Sequence, residues 1–139
     1  MPRGSPPDEL QALLRQPNPC VVASVRPDDE LHTAATWYLW SDEETVLLNM
    51  DASRRRLEHL RCDPRVALTI LVGGDFYRHV SVIGRVTEIR PDPDLADIDR
   101  IAQHYTGKPY RDRARDSWTA EVEVRRWHGW ANARDLTKP

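Results

Sequence analysis

The segment Thr45-Val46-Leu47-Leu48-Asn49-Met50-Asp51-Ala52-Ser53-Arg54-Arg55-Arg56-Leu57-Glu58-His59-Leu60-Arg61-Cys62-Asp63-Pro64-Arg65-Val66-Ala67-Leu68-Thr69-Ile70-Leu71-Val72 changes its hydrophobic period twice. Thr45 to Met50 is a β-strand run. From Ser53 to Arg61 the apolar residues Leu57 and Leu60 recur at helical spacing, and Asp63-Pro64 ends the helix, because the residue before a proline is pushed out of the α region. Arg65 to Val72 returns to strand, with Val66, Leu68, Ile70 and Val72 on one face. The start of the helix is electrostatically odd. With Ser53 as N-cap, Arg54, Arg55 and Arg56 fall in the first turn, where the free N–H groups and the positive pole of the helix dipole favour anions. Three guanidinium groups there cost a few tenths of a kcal/mol each, roughly. A bound phosphate would reverse the sign, accepting from backbone N–H groups and arginine forks together. The alternative is a solvated basic face with Arg54 paired to Glu58 at i,i+4.

Outward from this segment the chain reads as more strands. A short helix is expected from about Pro7 to Gln16, with Leu10, Leu13 and Leu14 on one face, and Pro17-Asn18-Pro19 stopping it. Cys20 to Arg26 and Leu31 to Trp40 form a hairpin across Arg26-Pro27-Asp28-Asp29, and the turn Ser41 to Glu44 leads into Thr45 to Met50. On the other side, Gly73-Gly74-Asp75 turns the chain into a long strand from Tyr77 to Arg90, in which Gly84 marks a bulge or a close backbone approach. Asp92 to Thr106 has helical period, with Leu95, Ile98, Ala102 and Tyr105 on one face and Gly107 as its stop. A polar loop from Lys108 to Asp116 precedes a half-buried strand in which Trp118, Ala120, Val122 and Val124 alternate with Thr119, Glu121, Glu123 and Arg125. The fold class expected is mainly β: one domain over residues 1–139, an antiparallel closed or split β-barrel of about six strands with three short peripheral helices, and polar tails at 1–6 and 131–139.

Composition narrows the function. A chain of 139 residues suits one domain with its own core, and a net charge of −2 gives no global attraction to nucleic acid or to an anionic membrane. One local basic cluster in place of an extended stripe argues against nucleic-acid binding. No apolar run approaches the length of a membrane-spanning helix, and Met1 to Glu9 has no apolar leader. Cys20 and Cys62, outside any metal-type spacing, read as free buried thiols of a cytoplasmic protein. His32, His59, His79, His104 and His128 show no metal-ligand spacing, so no metal is expected. Ser24, Ser81 and Ser117 lack a local base, and no nucleophile motif or glycine-rich phosphate loop occurs. Trp37, Tyr38 and Trp40 share a strand and read as core or interface residues, of which one or two could wall a flat ring. With no protein nucleophile, acid–base pair or metal evident, catalysis falls to a bound cofactor that the protein positions.

The order His32-Thr33-Ala34-Ala35-Thr36-Trp37-Tyr38-Leu39-Trp40, then Leu47-Leu48-Asn49-Met50, Ser53-Arg54-Arg55-Arg56 and Leu60-Arg61-Cys62-Asp63-Pro64-Arg65-Val66-Ala67-Leu68 resembles the pyridoxamine-phosphate-oxidase-like superfamily of FMN-binding split barrels. The resemblance is greatest to its branch of small oxidoreductases that use the deazaflavin coenzyme F420. Val80 to Val86 resembles a later barrel strand of that branch, and His104 to Tyr110 its tyrosine-glycine helix ending. The resemblance implies a homodimer with cofactor sites at the subunit interface and hydride transfer from reduced F420 to a small-molecule substrate. The alternatives are FMN as cofactor, or flavin or haem binding without turnover. It implies that Ser53, Arg54, Arg55 and Arg56 hold the cofactor phosphate, that Leu48, Asn49, Thr36 and Tyr38 line the same pocket, and that Tyr77 and His79 come from the second subunit. Four positions depart from the branch: Arg56 replaces its usual lysine, Glu58-His59 its Arg-Asn, and Ala35 its proline. Glu58 opposes a polyglutamate tail unless it turns toward Arg54 or Arg61.

Overall fold

Alternation of apolar and polar residues builds eight strands among residues 1–137, which the computed structural model describes. In chain order they are β1 (Cys20–Val25), β2 (Leu31–Thr36), β3 (Leu39–Trp40), β4 (Thr45–Asp51), β5 (Arg65–Val72), β6 (Asp75–Pro91), β7 (Ser117–Ala131) and β8 (Arg134–Asp135). The helices are α1 (Asp8–Leu14), α2 (Arg55–Cys62) and α3 (Ala96–Thr106). All pairings are antiparallel, in the order β2-β1-β5-β6-β7-β4-β3, with β8 appended to β7.

The expected single strand from Leu31 to Trp40 is two strands. β2 pairs β1, whereas β3 pairs β4, so the two lie at opposite ends of the strand order. Only Trp37 and Tyr38 join them. Two residues span about 7 Å at most, so the two edges of the sheet must approach each other and the sheet curls into a barrel. Tyr38 fixes the crossing. It is 1% exposed, and its hydroxyl donates to the carbonyls of Leu14 (2.8 Å) and Gln16 (3.1 Å) at the end of α1.

The curl also needs the long strands to bend. The β6–β7 register shifts between Ile83 and Gly84 and again between Val86 and Glu88. Gly84 is a close approach as expected, since a Cβ there would lie 2.5 Å from Val122 Cγ1 and 2.9 Å from the Glu123 carbonyl oxygen. The barrel interior is filled by β-branched and aliphatic residues such as Val22, Val46, Leu68, Ile70, Val80 and Val122. Leu10 of α1 is fully buried over Gly129, where a Cβ would overlap it.

Helix α3 starts four residues later than its apolar period suggested. Asp92 stays outside it, and its carboxylate accepts from the backbone N–H groups of Asp97 (3.0 Å) and Ile98 (3.1 Å), capping the helix from a distance. Gly107 ends it with φ 75°, as the sequence implied.

Residues of both expected tails pair with β7. Gly4 donates to the Arg125 carbonyl and Trp127 to that of Pro2, while Pro6 is buried. At the other end β7 runs to Ala131, Asn132 and Ala133 turn with positive φ, and β8 returns so that Leu136 packs on the core. Periodicity missed this hairpin because its return strand is two residues long. Residues 138 and 139 of the expected tail lie outside the described residues. No described helix is long and apolar enough to cross a membrane.

Candidate functional site

Where β2 and β4 meet α2 and α3, the barrel surface opens into a groove of about 970 Å³. The chain enters α2 differently from the sequence reading. Ser53 does not cap the helix; its N–H (2.9 Å) and hydroxyl (2.6 Å) both donate to Asp51 Oδ1, closing a tight turn. Arg54 is the N-cap, and no side chain accepts from the first helical N–H groups. Arg54, Arg55 and Arg56 all line the groove. Glu58 is exposed, lies outside it, and makes no ion pair with Arg54 or Arg61 among the described residues.

Arg56 is the most constrained of the three. Its terminal nitrogen donates to Thr36 Oγ1 on β2 (3.3 Å), while its Nε is buried without a partner. Burial pushes its pKa down, with the charges of Arg54 and Arg115 acting in the same direction. Cys20, on β1 beneath it, is itself pushed up to about 12 by burial, so it is a neutral thiol.

A fourth guanidinium faces the groove from the α3–β7 loop. Arg115 donates to Asn49 Oδ1 (2.8 Å) and to the Tyr110 hydroxyl (3.3 Å), lies 4.8 Å over the Tyr110 ring, and also has a buried, unpartnered Nε. No carboxylate lines the groove, and none of these four arginines forms an ion pair among the described residues. In a chain with net charge −2 that is a local concentration of uncompensated positive charge.

Aromatic rings line the rest of the groove. Trp37 stacks on Tyr105 with ring centres 5.1 Å apart and planes 10° from parallel, and Tyr110 meets Trp37 edge-on. Tyr105 is anchored by donating to the Asn18 carbonyl (2.7 Å). Its phenol is raised by burial and stays protonated. Behind β2, His32 meets His59 edge-on, and His59, 3% exposed, shares a hydrogen bond with Ser24 (3.0 Å).

Of the residues singled out from sequence, Thr36, Asn49, Arg54, Arg55 and Arg56 share this groove. Ser53 sits at its margin in the Asp51 turn. Leu48 and Tyr38 do not line it: Leu48 is fully buried in the barrel core, and Tyr38 is turned under α1 by its hydroxyl. Tyr77 and His79 lie elsewhere on the chain. Tyr77 is 68% exposed beside a second concavity with Arg78 and Trp130, while His79 bonds the Phe76 carbonyl and stacks on His128. Cys62 is exposed, against the expectation of two buried thiols. Sequence reasoning missed Arg115 and Tyr110. They sit in an irregular polar loop, where periodicity carries no orientation and nothing local separates Arg115 from Arg111 and Arg113.

A family model described as pyridoxamine 5'-phosphate oxidase matches residues 6–131. Among solved structures, the chain is similar to an F420 reductase at 27% identity, with a TM-score of 0.76, covering 91% of this chain and 98% of that one. It also resembles a conserved hypothetical protein of Mycobacterium tuberculosis (24% identity, TM-score 0.73, 99% and 91% covered). General stress protein 26 of Bacillus anthracis shares the fold (13% identity, TM-score 0.66, 93% and 95% covered). No protein of curated function matches. Mainly β with an antiparallel sheet, curled on itself and matched over nearly its whole length, the chain belongs to the pyridoxamine 5'-phosphate oxidase family of FMN-binding split barrels, whose members typically bind flavin or F420.

Proposed function

We propose that the protein is a cytoplasmic, homodimeric oxidoreductase that uses coenzyme F420 to reduce a small molecule. The observation that carries this reading is the pair of half-buried guanidinium groups, Arg56 and Arg115, each with an orphaned Nε and no carboxylate partner. An unpaired buried N–H costs about 1–3 kcal/mol, more when charged, and in a groove without a carboxylate an anion meeting the rest of each fork would offset the cost of holding these cations there. Arg54, Arg55 and Arg56 would hold the phosphate, with Thr36 fixing the Arg56 fork. The Trp37–Tyr105 wall would exclude water and offer a flat surface to the ring system. F420, when bound, supplies hydride chemistry, and so no acid–base pair is required of the chain. Tyr77 and His79 would complete the site from the second subunit. The 27% identical F420 reductase favours F420 over FMN, and Glu58, outside the groove, leaves it open to an anionic tail.

Titration with F420, FMN and haem, followed by tryptophan fluorescence and visible absorbance, tests this. Trp37 in the wall should make F420 binding visible as strong quenching. Tighter binding of FMN or haem, or binding of none of the three, would refute the reading.

A further inference from the structure

Arg115 differs from Arg90, Arg100 and Arg113, the arginines around α3 that are paired to carboxylates. Arg90 is spent on Glu88, Asp97 and Glu121, and Arg113 on Asp99. Arg115 has no carboxylate partner, although acidic groups are close in sequence and space. Asp112 accepts from the Ala114 N–H and Asp116 from Trp118 Nε1. Asp51, near enough to feel the Arg115 charge, accepts from Ser53 and from the Asp116 N–H. Arg115 is instead held by neutral groups. Asn49 Oδ1 accepts from it, and the Asn49 amide is locked the other way round, its Nδ2 donating to Ser117 Oγ (2.9 Å), Thr119 Oγ1 (3.2 Å) and Asp92 Oδ2 (3.4 Å). Asp92 is fixed in turn by the N–H groups that start α3. The network sets which end of the Asn49 amide faces the guanidinium, and Tyr110 sets the plane of the fork. A positioned cation that keeps free donors and full charge is arranged to meet an anion from outside the chain.

We propose that Arg115 is a second anion-binding point of the groove, separate from the α2 arginines, which takes a carboxylate of a ligand whose phosphate is anchored at Arg54–Arg56, and that Asn49 is its positioning residue. The inference rests on the F420 reading and specifies it: the site selects a ligand with two anionic groups at different positions over one with a single terminal phosphate. Arg115 comes from the α3–β7 loop and Arg54, Arg55 and Arg56 from the start of α2, and all four line the one groove, so both points can contact one extended ligand.

The test compares dissociation constants of F420 carrying its glutamate tail and of FMN, for wild type, Arg115→Gln and Arg115→Lys. Arg115→Gln should weaken F420 binding roughly 10- to 100-fold, the effect of one charge-assisted bond. It should change FMN binding by less than about threefold, because only a screened, longer-range charge is lost there. Arg115→Lys, which keeps the charge but not the fork, should fall between for F420 and match wild type for FMN. Thermal unfolding shows that each variant is folded, and the FMN arm reports an intact phosphate site. Equal losses for both ligands, or none for F420, would overturn the second anchor while leaving the cofactor reading standing. Wild type that binds FMN but not F420 would overturn both.

Discussion

Arg56→Met should make the ligand-free protein more stable and the ligand-bound protein weaker. Without an anion, Arg56 is a half-buried cation with one orphaned N–H, held down in pKa by desolvation and by the charges of Arg54 and Arg115. Leaving that N–H unpaired costs about 1–3 kcal/mol, and the single bond to Thr36, long at 3.3 Å, returns about 1 kcal/mol. Methionine retains most of the aliphatic stem and fills the same space. The net gain is about 1 kcal/mol. For 139 residues the unfolding entropy is about 0.3 kcal/mol/K, so the midpoint should rise by roughly 3 °C. With ligand the sign reverses. Loss of a charge-assisted contact to phosphate costs about 2–3 kcal/mol, which is roughly 30- to 150-fold in affinity. The assay is thermal unfolding by circular dichroism with and without saturating F420, alongside a fluorescence titration. A lower midpoint without ligand, or an affinity within about threefold of wild type, would refute the view of Arg56 as a strained anion receptor.

Tyr38→Phe removes the hydroxyl that donates to the carbonyls of Leu14, at the end of α1, and Gln16, just beyond it, and should cost about 1–2 kcal/mol of stability in denaturant unfolding while leaving cofactor affinity unchanged, since Tyr38 does not line the groove. Gly84→Ala drives a methyl group into Val122 and the Glu123 carbonyl and should cost about 1–3 kcal/mol, read as a midpoint lower by several degrees. The His59 pKa is held below the ordinary 6.5 in the folded state by burial and by His32 and Arg26. The unfolded chain therefore takes up the proton first. The contribution is intact above about pH 6.5 and is lost as pH falls through that value toward the lower folded pKa. Unfolding free energy measured from pH 7 to 5 should fall, and His59→Gln, which can still bond Ser24, should flatten the fall.

Most of the strands and the anion site's first half are legible in the sequence because they rest on local rules. Alternation at β5 and β7, helical spacing at Leu57 and Leu60, the breaks at Pro64 and Gly107, and the closeness of Gly84 each follow from a few consecutive residues. Arg54, Arg55 and Arg56 are likewise adjacent, and a run of cations at a helix start is a conflict visible without coordinates. The family, too, is carried by contiguous motifs and is matched over residues 6–131.

What the sequence could not supply is the pairing of distant segments and the direction of side chains in irregular backbone. The division of Leu31 to Trp40 into β2 and β3 depends on Tyr38 finding the carbonyls of Leu14 and Gln16, more than twenty residues away. Ser53 is a good cap by type, but the Asp51 carboxylate outcompetes the helix for it. Arg115 enters the groove only because Asn49 on β4, Ser117 on β7 and Asp92 before α3 meet in the folded barrel. By itself the sequence determined the strands, the positive cluster and the family, since all three are encoded locally. The tertiary structure alone decided that the groove holds a fourth cation from another element and an aromatic wall, because those depend on contacts between residues that are far apart along the chain.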